Sequence, residues 1–100
     1  MKPNDHVVER GLLSFLLVYP DQLDDVVGLL DERCFDLLAH REVWRALSSL
    51  GPAADAVSLQ SALVRAGASE VTRATLLELS SSYAPIDPLP HARRLRDLAA

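Results

Sequence analysis

Proline and glycine cut this chain into short pieces, and each piece repeats its apolar residues at helical spacing. The breaks fall at Pro20, Gly51-Pro52, Gly67 and the prolines at 85, 88 and 90. A proline disfavours helical geometry in the residue before it, so Pro20 ends the first piece. In that piece Val8, Leu12, Phe15, Leu16 and Tyr19 share one face, and Leu13 and Leu17 widen it. Asn4 or Asp5 is expected to cap it, and Glu9 sits early enough to favour the helix dipole. A helix apolar on more than one side is either central or partly covered by a partner.

The remaining pieces read the same way. Asp21 is expected to cap a second helix with Leu23, Val26, Val27 and Leu30 inward. Residues 31–37 read as irregular or a single turn. Residues 39–50 carry Val43, Trp44, Leu47 and Leu50 on one stripe. Ser58 is expected to cap a helix over 59–66, with Gly67 closing it from the left-handed region. Ser69 starts a fifth helix with Val71, Leu76, Leu77 and Leu79 as its apolar set, frayed by Ser80, Ser81 and Ser82. Asp87-Pro88 opens a last helix over 89–99, with Leu95 and Leu98 inward and Arg93, Arg94 and Arg96 outward. No segment alternates strictly with strand-forming residues. The expected fold is all-α, a compact orthogonal bundle of about six short helices forming one domain over residues 1–100. Leu12, Phe35, Trp44, Leu47 and Leu63 are assigned to its core.

Composition limits function. The net charge is −4, and no basic block occurs in the first eighty residues. A strong nucleic-acid binder needs clustered Lys and Arg to release counterions, so DNA contact by this chain alone is not expected. A single cysteine excludes an internal disulfide and suits a reducing cytoplasm. The apolar run over 12–19 is too short to span a bilayer, and no signal-peptide pattern precedes it.

Reactive-looking residues form no catalytic constellation. Cys34 and His40 lie six positions apart, but Asp31, Glu32 and Asp36 give the thiol acidic neighbours, whereas a nucleophilic cysteine needs an electropositive setting. One Cys with scattered His does not make a zinc site. Asp24, Asp25, Asp31 and Glu32 lack calcium-loop spacing and read as a solvated acidic face. His6 and His91 read as structural or surface residues. Ser80, Ser81 and Ser82 lack the context of a nucleophile elbow. Gly28, Gly51 and Gly67 are isolated and build no phosphate loop. The arginines at 93, 94 and 96 could meet an acid or a phosphate, and also suit a helix C-terminus.

Five segments in order resemble the N-terminal domain of DnaB-type replicative helicases over about residues 8–99. "ERGLLSFLLVYPDQLDDVVGLL" looks like its opening helix pair. In "CFDLLAHREVWRALSSL", Phe35, His40, Arg41, Trp44, Ala46 and Leu47 take the family's positions. "ADAVSLQSALVRAG" matches through Asp55, Ser58, Leu59, Leu63 and Gly67, and "LLELSSSYAP" and "HARRLRDLA" are similar to the closing segments. The family's Gly-Gly before the fourth segment is replaced by "ASEVTRA". "VYPD" is closer to the helicase-binding C-terminal domain of bacterial primase, which shares the fold and leaves a primase-borne or free-standing adaptor as the alternative.

The resemblance implies a collar without chemistry of its own. It would pair with copies of itself, build a ring of three pairs in a full-length parent, and contact primase or a helicase loader. ATP and magnesium would belong only to a motor absent from these residues, so no cofactor is expected here, and DNA would be met only through the parent. The pairing hairpin comes late in longer versions of the domain, which leaves dimer and monomer both open for this chain. Its closing Leu98-Ala99-Ala100, on a helix without a stop, reads as a truncation. Glu42, Arg45, Gln60, Arg65, Arg93, Arg94 and Arg96 are the expected contact residues, on the expectation that they are exposed.

Overall fold

The structure is a computed structural model that describes residues 6–81 and 86–99; the Asn4/Asp5 cap, Ser82 and Pro85 lie outside them. Helix α1 (His6–Val18) buries five successive residues, Leu12 to Leu16. With 3.6 residues per turn, such a run is covered on every side. The cover comes from α3, α5 and α6, so the apolar breadth of this helix reflects a central place in the bundle.

Pro20 ends the helical run, but the next turn differs from expectation. Pro20–Gln22 forms a 3-10 turn that runs into α2 (Leu23–Val26), and Gln22 rather than Asp21 stands at the cap, with no side-chain bond. Leu23, Val26 and Leu30 are buried, whereas Val27 is exposed. Val27 keeps helical geometry, its N–H bonded to the Leu23 carbonyl, and falls on the solvent edge of the face; the tighter bond from Leu29 N–H to the Val26 carbonyl comes after it, before Leu30 turns inward. A second 3-10 turn, Glu32–Cys34, is capped by Asp31, which accepts the Arg33 N–H at 2.8 Å.

Helix α3 (Leu38–Leu50) buries His40, Val43, Trp44, Ala46 and Leu47; Leu50 is half-buried. Helix α4 (Ala56–Arg65) starts three residues before the expected start at 59. Asp55 holds the cap position, and Ser58, already helical, donates its N–H to Asp55 Oδ1 at 2.7 Å. That bond keeps the Asp55 carboxyl below its usual range. Gly67 takes φ +74° and closes the helix through bonds from its own N–H to Val64 and from Ala68 N–H to Leu63.

Helix α5 (Glu70–Ser81) begins at Ser69, whose hydroxyl accepts the Thr72 N–H. Its buried stripe is Thr72, Leu76 and Leu79, and Val71 and Leu77 point to solvent, contrary to the expected apolar set. The hydroxyl of Thr72 bonds Glu42 on α3, and this orients the helix. Ser80 and Ser81 remain helical, with hydroxyls donating to the Leu76 and Leu77 carbonyls. Helix α6 (Pro88–Ala99) opens with Asp87 accepting the Leu89 N–H. It buries Ala92 and Leu95, and leaves Leu98 half-buried rather than inward.

The result is an all-α bundle with one core and, among the described residues, no strand. Its radius of gyration is 12.2 Å, against about 13 Å expected for a compact chain of this length. Leu12, Phe35, Trp44, Leu47 and Leu63 are all buried, and the rings of Phe35 and Trp44 stack with centroids 5.3 Å apart.

Candidate protein-interaction surface

The entry to α3 is the most constrained part of the surface. Residues 35 and 37 are extended, and Leu37 offers the helix no side-chain cap. Two distant groups hold this segment instead. Glu9 on α1 is buried, and its Oε1 accepts the Asp36 N–H at 3.1 Å and His40 Nδ1–H at 2.9 Å. Arg41 Nε donates to the Phe35 carbonyl at 2.6 Å. Glu9 stands in the first turn of α1, as expected, and there also serves as a structural acceptor. His40 makes its polar contact there, and no bond joins it to Cys34. The thiol is half-buried, with Asp31 Oδ1 at 4.0 Å. His6 Nε2–H donates to Asp36 Oδ2 at 2.8 Å, and His91 Nδ1–H to the Asp87 carbonyl at 3.1 Å.

The expected contact residues separate into two surfaces. On one, Glu42, Arg45, Ala46 and Ser49 of α3 face Ala62 and Leu63 of α4, and Ala66 just after it, across a groove of about 370 Å³. Small side chains form its floor. Glu42 is only half-exposed, because its carboxylate accepts the Thr72 hydroxyl at 2.9 Å; Gln60 is likewise half-buried. Both depart from the expected full exposure. Arg45 and Arg65 are exposed. On the other, Arg93, Arg94 and Arg96 are exposed on the outer side of α6, opposite Ala92 and Leu95. Arg96 lines a groove of about 580 Å³ with residues 28–34, Arg41 and Ala99.

One ion pair stands between the two. Arg45 Nε, on the first groove, donates at 2.6 Å to Glu32 Oε2, on the second. That hydrogen bond holds Glu32 below the usual carboxylate range and raises Arg45. Arg33 likewise lowers Asp31 through a bond at 2.9 Å. The sequence pointed to the arginines but not to the grooves, since residues 32 and 45 meet only in the folded chain.

Among the described residues, no group of three or more His, Cys, Asp or Glu is placed to hold a metal ion. No described helix is long and apolar enough to cross a membrane. The geometry on the page is that of two grooves with charged rims.

No curated protein matches the chain. Among solved structures it is similar to the N-terminal domain of DnaB helicase from Mycobacterium tuberculosis. The TM-score is 0.84 and the identity 26%, and the match covers 99% of this chain and 76% of that one. The family model described as the DnaB-like helicase N-terminal domain matches residues 1–97. Fold, segment order and both matches agree, and the chain belongs to the DnaB-like helicase N-terminal domain family.

Proposed function

We propose that this chain is the contact-making domain of a bacterial replicative DNA helicase, working in the cytoplasm. It docks primase or a helicase loader, associates with copies of itself, and passes the state of those contacts to an attached ATP-driven motor. Coupling of this kind requires two arrangements of the assembly that partner binding favours unequally. The observation that carries the reading is the likeness, over nearly the whole chain, to a DnaB helicase N-terminal domain.

Physical features of the chain support it. Arg45 and Arg96 are exposed charges lining grooves, and Arg65, Arg93 and Arg94 are exposed charges on helices that line them, the kind of surface that steers and orients a partner. Glu42 and Gln60 contribute less, being half-buried. The net charge of −4 disfavours direct DNA binding, so DNA is met through the parent. ATP and magnesium belong to the motor, because Gly28, Gly51 and Gly67 are too scattered here to cradle phosphates.

The test begins with the gene beyond codon 100. A following phosphate loop of the form G-x-x-x-x-G-K-[ST] is expected. The full-length protein should then bind its own primase, and Arg45→Glu with Arg65→Glu should weaken that binding while leaving ATP hydrolysis without primase unchanged. A stop codon directly after Ala100 would replace the motor-linked reading with that of a free-standing adaptor. Sedimentation across a concentration series separates monomer from dimer.

A further inference from the structure

The groove at the end of α6 contains more positive charge than its fold contacts use. Five of its lining side chains are charged: Asp31, Glu32, Arg33, Arg41 and Arg96. Asp31 pairs with Arg33 and Glu32 with Arg45, both at the surface, and Arg41 adds a weaker attraction on Glu32. Arg41 spends only its Nε, on the Phe35 carbonyl, and its two Nη groups bond no described residue. Arg96 bonds none at all among the described residues and is exposed on the groove. The bond to Phe35 also holds the Arg41 guanidinium in place, so little side-chain freedom remains to be lost on binding. Beside these cations lie Leu29, Leu30 and Ala99, an apolar wall. The groove volume, about 580 Å³, lies within the range of about 300–1,000 Å³ typical of ligand sites.

We propose that this groove binds a short acidic and apolar segment of a partner protein, its carboxylate taken by Arg41 and Arg96 and its apolar side chain laid on Leu29 and Leu30. Arg presents a planar fork that matches a carboxylate, which favours this ligand over a point anion. Nucleic acid fits worse. A phosphate chain carries a charge at every step along a groove that also holds Asp31 and Glu32, whereas a peptide can set a single carboxylate on Arg96 and the Nη groups of Arg41 and turn apolar side chains to the rest. The proposal rests on reading the chain as a contact domain and names the chemistry of one contact.

The test is an NMR titration of the 100-residue chain, following backbone amides and arginine Nε–H signals. The probe is the blocked peptide acetyl-Leu-Glu-Glu-Leu-amide, with acetyl-Leu-Gln-Gln-Leu-amide and a thymidine oligonucleotide as controls. The acidic peptide should shift residues 29–34, Arg41 and Arg96 to saturation. The glutamine peptide should bind about tenfold more weakly, the loss expected for one charge-assisted contact. Arg96→Glu should lower affinity at least as much without disturbing the remaining spectrum, since that side chain supports no other. Arg41→Lys should also weaken binding, because one ammonium cannot hold both Phe35 and the peptide. Failure of the acidic peptide to saturate these signals overturns the proposal. So does equal binding by Arg96→Glu, or tighter binding of the oligonucleotide at the same residues. If the peptide binds but the full-length protein ignores primase, only the function proposed above fails. If primase binds and the peptide does not, only this groove assignment fails.

Discussion

Two acid–base pairs of similar length do opposite work in this molecule. Glu9 and His40 meet at 2.9 Å with side chains 1% and 6% exposed; Arg45 and Glu32 meet at 2.6 Å with side chains 60% and 48% exposed. The buried pair cannot exchange its bonds for water, so it fixes the approach to α3. The exposed pair can do so at little cost, and a partner can compete for either member. Distance alone does not separate a structural tie from a contact surface, whereas depth does.

The largest effects should come from the buried side. Trp44→Ala removes the ring stacked on Phe35 and should lower stability by about 3–5 kcal/mol, read as a shift of the urea midpoint; a midpoint that barely moves would remove Trp44 from the core. Glu9→Ala comes next. It leaves the His40 donor buried without an acceptor, at a cost of about 1–3 kcal/mol. Glu9→Gln retains a carbonyl acceptor in the same place and should cost less. Equal losses in the two variants would mean that shape, not the hydrogen bonds, matters at this position.

The exposed side should respond to pH and salt instead. Glu32 ordinarily titrates near 4.5, and its bond to Arg45 lowers that value in the folded chain. A folded value below the unfolded one means the contribution is present above about pH 4.5 and is lost as pH falls through the folded value. Stability measured downward from pH 5 should therefore fall slightly less steeply in Glu32→Gln, and high salt should shrink the difference between the two proteins. The smallest effect is expected for Arg45→Ala at neutral pH, with an unfolding midpoint indistinguishable from that of the parent chain. A clear loss there would show that the pair belongs with the structural ties and would erase the contrast.

Much of the fold could be read from spacing and punctuation. Pro20, Gly51 and Gly67 end helical stretches where expected, and the helix over 39–50 is displaced by a single residue. Errors arose where local signals compete. Asp55 and Ser58 are both good caps three positions apart, and the chain uses the earlier one. Val71 and Leu77 are more apolar than Thr72, yet Thr72 faces inward because Glu42 awaits its hydroxyl. Such partners lie 30 positions apart in sequence, and no helical period reports them. The surface was less legible than the fold. Its arginines stand out in the sequence, but their pairing, and the freedom of Arg96, exist only once α6 lies beside the turn at 32–34.

The burial of α1 also bears on how the protein is made. Residues 12–16 are synthesised before every helix that covers them, and α6, which lies against α1, is synthesised last. During translation the most apolar stretch of the chain is thus exposed until residues near 99 have left the ribosome tunnel. Such uncovered segments are what chaperones hold and what aggregates when they do not. Of these helices, the earliest to emerge is the last to find shelter.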